Sequence, residues 1–382
     1  MSALSHRDRV LTVLSHGVPD RPPIDLGGCP ASDINLSAYQ QLKAHLGVPG
    51  PVRVQTERSL LAWPDEAILQ RFDVDLRLIV GYTAEDSQKR GIFDQAVYDA
   101  EAEYTDMWGV MRRRPPRGHY YVTRAPFGKN ELTLADLDAH TWPSPEKTDA
   151  SGLRREAQRL CRETDCALVA HVPGRIFSLG QFMCGFENWL VQLKINPEFC
   201  EALLDRALEI QLAMAEEVLK AVGDAADILY LADDYGIQTG PLISPSLFRQ
   251  IFKPRMARLI QFLRDRSPAK IAFHSCGSVH ALIPDFIDVG VQVLNPVQVA
   301  AAEMDTARLR REFGRHLVFW GAIDTQRVLP QGTPDEVRAE VVRRVKDLSP
   351  GYIPSSVHNI QAEVPPQNIV AMFEALKSVK PG

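Results

Sequence analysis

The sequence predicts an α/β fold, a (β/α)8 barrel of the TIM type, as one domain over residues 1–382 with an N-terminal helical extension (about residues 1–70) and a polar insertion near the barrel mouth. Three observations carry this. From residue 74 onward, short β-rich runs alternate with amphipathic helical stretches, which favours a closed parallel sheet. No Gly-x-Gly-x-x-Gly follows the first run, so a doubly wound open sheet is the second choice. Polar residues concentrate where the strand candidates end, the place where such a barrel builds its working face.

The extension opens with Ser5 and Asp8 ahead of a stripe of Val10, Leu11, Val13 and Leu14, a capped amphipathic helix without the apolar run of a secretory signal. The strand candidates are Val74–Val80, Tyr120–Thr123, Ala167–Val172, Asp227–Leu231, Lys270–His274, Val291–Leu294, Leu317–Gly321 and Gly351–Val357. Helices are expected around 151–164, 197–221, 245–265, 279–289, 304–313, 334–348 and 366–379. Thr333-Pro334-Asp335-Glu336 marks one helix start, with an N-cap threonine, proline at the first position and glutamate at N3. Ser244-Pro245 opens another, and Pro254 should kink it. Residues 81–118 break the alternation with a polar stretch ending in Arg112-Arg113-Arg114-Pro115-Pro116-Arg117; it reads as an insertion over the mouth, its arginines a solvated face rather than an anion clamp.

With 45% hydrophobic and 24% charged residues the chain is ordinary for a globular protein, and a net charge of −5 argues against a nucleic-acid surface. No apolar run reaches the length of a membrane span. Its six cysteines lack regular spacing, as expected of a reducing, cytoplasmic compartment.

The strand ends supply His171-Val172-Pro173-Gly174-Arg175, Asp233-Asp234-Tyr235-Gly236, His274-Ser275-Cys276, Asn295-Pro296-Val297-Gln298, Asp324-Thr325-Gln326 and Ser355-Ser356-Val357-His358-Asn359. Side chains at i and i+2 of a strand share a face, so His274 and Cys276 stand side by side, as two ligands of a zinc ion would. A catalytic zinc needs a third protein ligand. His358 is the choice, since the fifth and eighth barrel strands lie nearly opposite, with Asp324 and Asp233 as competing ligands or orienting partners. The alternative is a buried small thiol beside a satisfied core histidine. Of the adjacent Asp233 and Asp234 only one should reach the pocket, and Asp233 is favoured; the bland role is to cap the next turn.

The segments His6-Arg7-Asp8-Arg9-Val10, Pro19-Asp20-Arg21-Pro22-Pro23-Ile24-Asp25-Leu26-Gly27-Gly28, Asp233-Asp234-Tyr235-Gly236, His274-Ser275-Cys276-Gly277, Leu294-Asn295-Pro296-Val297-Gln298, Gly321-Ala322-Ile323-Asp324-Thr325-Gln326 and His358-Asn359-Ile360-Gln361 together resemble the uroporphyrinogen decarboxylase superfamily, and within it the cobalamin-dependent methyltransferase-like branch. The resemblance implies a (β/α)8 barrel with its site on the C-terminal face. Porphyrinogen decarboxylases carry an arginine-rich N-terminal segment that clamps the substrate's carboxylates; the matching Ile24-Asp25-Leu26-Gly27-Gly28-Cys29 has none. The methyltransferase branch binds zinc through His-x-Cys and a distant cysteine, whose position His358 takes here. Two imidazoles and one thiolate leave the metal more Lewis-acidic than one imidazole and two thiolates would.

The function this implies is a zinc-dependent methyltransferase that moves a methyl group between a small substrate and a corrinoid, or a thiol or folate acceptor. Asp233, Asp234 and Asp324 would be catalytic, with His171, Tyr235, Asn295, Gln298, Gln326 and Asn359 around the substrate. Asp138-Ala139-His140 is followed by no glycine at the place that an Asp-x-His-x-x-Gly corrinoid motif requires, so the corrinoid would sit on a separate protein. The alternatives are a metal-free carboxy-lyase of the decarboxylase type and a non-catalytic corrinoid- or tetrapyrrole-binding protein. The sequence neither requires nor forbids a homodimer.

Overall fold

The computed structural model describes residues 4–56, 60–82, 91–94, 96, 99–116 and 118–381, so Arg117 and part of the 81–118 insertion lie outside the described residues. Its strands are β1 (Arg53–Thr56), β2 (Leu61–Trp63), β3 (Leu76–Ile79), β4 (Ala102–Thr105), β5 (Met111–Arg114), β6 (Tyr121–Arg124), β7 (Ala167–His171), β8 (Ile228–Ala232), β9 (Lys270–His274), β10 (Val293–Asn295), β11 (Val318–Ile323) and β12 (Tyr352–Ser356). Seven of them form one parallel curled sheet in the order β12-β11-β10-β9-β8-β7-β3. The predicted α/β barrel is the observed architecture.

One predicted stave is misplaced. Tyr120–Thr123 does not enter the barrel; Tyr121–Arg124 pairs antiparallel with β5, which pairs with β4, making a separate three-stranded sheet. A short alternating strand looks the same in sequence whichever sheet it joins. The seam between β3 and β12 is bridged instead by the irregular segment 24–35. Asp75 N–H donates to the Ile24 carbonyl, Ile360 N–H to the Asp33 carbonyl, and Asn35 N–H to the Ile360 carbonyl, each at 2.8 Å.

Alternation along each strand sorts side chains between the lumen and the outer helical layer. Ile228 and Tyr230 of β8, Ala272 of β9, Val293, Val318, Trp320 and Ile353 fill the lumen, whereas Leu229, Leu231, Ile271 and Phe273 pack outward. The helix His6–Leu14, capped by Ser5, closes the bottom with Val10, Val13 and Leu14. Beneath it, fully buried Asp75 is paired with both Arg9 and Arg21 at 2.6 Å, the compensation a buried charge requires.

The helix signals translate closely. Pro334–Leu348 carries the reciprocal Thr333–Glu336 capping box. The kink expected at Pro254 is a π-helical turn over Phe248–Phe252, just before Lys253–Arg264. A proline with no N–H to donate leaves the preceding turn free to widen.

Candidate metal centre and active site

Because Ala272 faces the lumen, so does His274 two residues on, and Cys276 continues the same side past the strand end. His358 follows β12, three strands away around the curl. The nearest donor atoms of His274, Cys276 and His358 all lie within 4.8 Å of one another. His274 Nε2 is 3.3 Å from Cys276 Sγ, against the ~3.6 Å edge of a tetrahedron with zinc–nitrogen and zinc–sulfur bonds of ordinary length.

The protonation pattern suits a metal. Asn295 Oδ1 accepts from His274 Nδ1–H at 2.6 Å and from the Tyr230 hydroxyl at 3.1 Å. The proton is thereby held on Nδ1, and the Nε2 lone pair faces the thiol. Burial pushes the His274 imidazolium toward neutrality, and burial with the neighbouring His274 brings His358 down to about 4. Burial and the Asp234 carboxylate push the Cys276 thiol up. Two neutral imidazoles and one reluctant thiol converge, with no cation paired to the sulfur among the described residues, a donor set that a divalent metal would complete.

Asp234, not Asp233, is the carboxylate at this centre. Its Oδ1 accepts the Cys276 N–H at 2.8 Å and lies 3.6 Å from His274 Nε2. Burial opposes its charge, but His274, the Cys276 N–H and Arg175 outweigh that and hold its carboxyl below the usual range. Asp233 points to the other face, where its carboxylate accepts the N–H groups of Ile176, Phe177 and Ser178 and the Ser178 hydroxyl at 2.6–2.9 Å. It caps the helix Phe177–Cys184. The parity of β8 decides between them, since Ile228, Tyr230 and then Asp234 share the lumen side.

Three further expectations are corrected. Tyr235 stacks on Phe177 at 5.1 Å and packs among Phe248, Phe252 and Phe273, so it belongs to the outer core. Asp324 Oδ1 accepts the N–H groups of Gln326 and Arg327, a turn cap, and Gln326 itself is exposed. The remaining residues support the centre or its rim. Gln298 Oε1 accepts the Gly277 N–H at 2.7 Å, pinning the turn after Cys276. Asn359 Oδ1 accepts the Asp33 N–H at 3.2 Å and ties His358 to the seam. His171 lies edge-on to Tyr82 and Tyr230, its pKa driven to about 3 by burial, Arg175 and His274.

The turn holding Cys276 has no slack. Gly277 adopts φ +86°, and a Cβ there would sit 2.4 Å from the Gly236 carbonyl carbon. A second constellation, His6, Asp165 and Cys166, is of another kind, because both ring nitrogens of His6 are engaged by Asp73 and Asp165 and no lone pair is left for a metal.

Arg175 was not singled out by sequence reasoning, because an arginine after Pro-Gly reads as an ordinary loop residue. The arginine run is a solvated face only in part, since Arg113 is exposed. Arg114 is buried, and Arg112 lies over the Phe182 ring at 4.3 Å instead of in solvent.

Comparison with known proteins agrees with this architecture. A methylcobamide:CoM methyltransferase MtaA of Methanosarcina barkeri is 25% identical over 283 residues, 70% of this chain and 72% of that protein. A uroporphyrinogen decarboxylase of Acidiphilium cryptum is 27% identical over 184 residues, 47% of this chain and 49% of the relative. In fold, a methyltransferase from Methanosarcina mazei superposes with a TM-score of 0.67 at 16% identity, covering 98% of both chains. Residues 121–379 match the family model for uroporphyrinogen decarboxylase (URO-D). The chain belongs to the uroporphyrinogen decarboxylase family.

Proposed function

We propose that this protein is a zinc-dependent methyltransferase that moves a methyl group between a small substrate and a corrinoid held on a separate protein. The observation that carries the reading is the convergence of His274, Cys276 and His358 within 4.8 Å at the barrel mouth. Relatives named as methyltransferases, one of them acting on methylcobamide and CoM, support it.

His274, Cys276 and His358 would hold the zinc, and a zinc bound by three protein ligands keeps a position at which a substrate heteroatom is polarised or its proton made more acidic. The protein's own contribution is orientation. Asn295 keeps the His274 proton on Nδ1, Gln298 and the Gly277 turn keep Cys276 in register, and Asp234 offers a half-exposed carboxylate that accepts a proton released at the mouth. The decarboxylase reading is disfavoured at the N-terminal segment. Where that reaction needs cations, Asp25 is buried and its Oδ2 accepts the Trp320 indole N–H at 2.7 Å.

The test is metal content. Purified wild type supplied with zinc should retain about one ion per chain, and Cys276→Ser and His358→Ala should each lose most of it. A Cys276→Ser protein that holds as much zinc as wild type sinks the reading. Decarboxylation of a porphyrinogen by the metal-free protein would support the lyase instead.

A further inference from the structure

Beside the metal centre the mouth opens into a second space of a different character. A cavity of about 340 Å³ lies between the strand ends and the three-stranded sheet, walled by Tyr82, Trp108, Tyr120 and Phe182 with His171 and Arg175. Both Arg112 and Arg175 lie over Phe182, at 4.3 and 5.7 Å from its ring centroid. Their electrostatic situations differ. Asp106 lines the same cavity, accepts from Arg112 Nε at 3.3 Å and also takes the Trp108 and Val110 N–H groups. Arg175 has no ion pair among the described residues. Its backbone is fixed by Gln211, whose amide donates to the Arg175 carbonyl at 2.8 Å. His171 of the cavity wall and His274 of the centre both lie against the Tyr230 ring, at 5.9 and 6.0 Å between centroids, so the cavity and the metal centre adjoin.

The lining specifies a ligand. A guanidinium with no ion pair among the described residues presents a planar fork that matches a carboxylate, and aromatic walls favour a flat apolar body. The volume is near the lower end of the roughly 300–1,000 Å³ typical of small-molecule pockets, enough for one ring and too little for a tetrapyrrole. His171, kept neutral by burial, adds a polar group without adding charge.

We propose that this cavity binds a single-ring aromatic carboxylate, its anion on Arg175 and its ring between Trp108, Tyr82 and Phe182, with the opposite edge of the ring toward His274, Cys276 and His358. The proposal rests on the methyl-transfer reading of that centre and names the class of its small substrate. The same lining explains why the insertion is there: it converts an open barrel mouth into a slot for a flat anion.

Titration calorimetry on the full-length, zinc-supplied protein tests this with three probes. These are 4-methoxybenzoate, methoxybenzene (ring without charge) and methoxyacetate (charge without ring). Wild type should bind 4-methoxybenzoate about tenfold or more tighter than either of the others, the effect of one charge-assisted hydrogen bond or one stacked ring. Arg175→Gln should weaken 4-methoxybenzoate by about tenfold and leave methoxybenzene unchanged, with Arg175→Lys restoring part of the loss. Trp108→Leu should weaken both ring compounds and leave methoxyacetate unchanged. No measurable binding of 4-methoxybenzoate to wild type overturns the proposal, as does equal binding by Arg175→Gln or by methoxyacetate. Zinc content measured on the same samples keeps the two readings apart. Protein that binds the aromatic acid but never retains zinc refutes methyl transfer and leaves the cavity assignment standing; zinc-loaded protein blind to the ring or the charge does the reverse.

Discussion

Asn295→Leu probes the centre through a residue that need not touch the metal. The side chain is 1% exposed, and its Oδ1 accepts both the His274 Nδ1–H at 2.6 Å and the Tyr230 hydroxyl at 3.1 Å. Leucine is close in volume, so packing is largely preserved while two buried donors lose their acceptor. Each stranded donor costs roughly 1–3 kcal/mol, which puts the metal-free variant about 2–6 kcal/mol below wild type. Adding Tyr230→Phe removes one of the two stranded groups and should return about 1–3 kcal/mol, a coupling that a double-mutant cycle isolates. The second effect is on zinc. With Oδ1 gone, nothing holds the His274 proton on Nδ1, and the tautomer that blocks Nε2 competes. Removing the hydrogen-bond partner of a ligating histidine typically lowers metal affinity ~10–100-fold. Urea unfolding of the metal-free proteins gives the first quantity, and chelator competition gives the second. An Asn295→Leu protein with the wild-type unfolding midpoint and slope and an unchanged zinc Kd would refute the assignment of Asn295 as the group that orients His274.

Asp233→Ala should destabilise the fold by about 2–4 kcal/mol, since it strands the N-terminal donors of the helix Phe177–Cys184, yet leave zinc content intact. Asp234→Asn, whose amide oxygen can still accept the Cys276 N–H, should cost only about 1 kcal/mol, less than Asp233→Ala, while lowering turnover; denaturation and activity of the pair test the exchange of roles argued above. Gly277→Ala forces a Cβ into the Gly236 backbone at a positive φ and should cost about 2–4 kcal/mol with loss of zinc, read as thermal shifts with and without metal. His6 supplies a pH dependence. Burial works against its cation, but hydrogen bonds to Asp73 and Asp165 outweigh it and raise its pKa above 6.5. A raised folded pKa stabilises fully below the unfolded value, and that stability is lost as pH rises through the folded one. The stability gap between wild type and His6→Asn should therefore be wider near pH 6 than near pH 9 in urea unfolding.

The parts of this molecule that the sequence disclosed are those governed by local rules. The Thr333–Glu336 box, the proline-led helices and the side-by-side placement of His274 and Cys276 depend on one stretch of backbone, and each is present. What was misread depends on which face of a strand is inside. Ile228, Leu229, Tyr230 and Leu231 are all apolar, so no alternation marks the lumen side, and Asp233 could not be separated from Asp234 until the curl of the sheet chose. Tyr235 failed for a related reason, because an aromatic ring suits a pocket and an outer core equally well. The seam segment carries Gly27, Gly28 and Pro30, which erase any strand pattern, so its role in closing the barrel rests wholly on tertiary hydrogen bonds. Arg112 and Arg175 acquire meaning only when the insertion folds over the mouth and gives them a shared wall.

The seam also dictates an order of events during synthesis. Residues 24–35 are made long before the groups they bond, which belong to β11 and to the loop after β12: Trp320 is 295 positions from Asp25, and Asn359 is 326 from Asp33. Through most of translation this segment has no partner on that side, and the nascent sheet keeps an open edge of the kind that invites aggregation. Because loop closure over such distances is slow, sealing the seam waits for the strands made between its two sides. His358 sits beside that joint, next to Asn359, so the third residue of the candidate centre takes its place only when the seam closes.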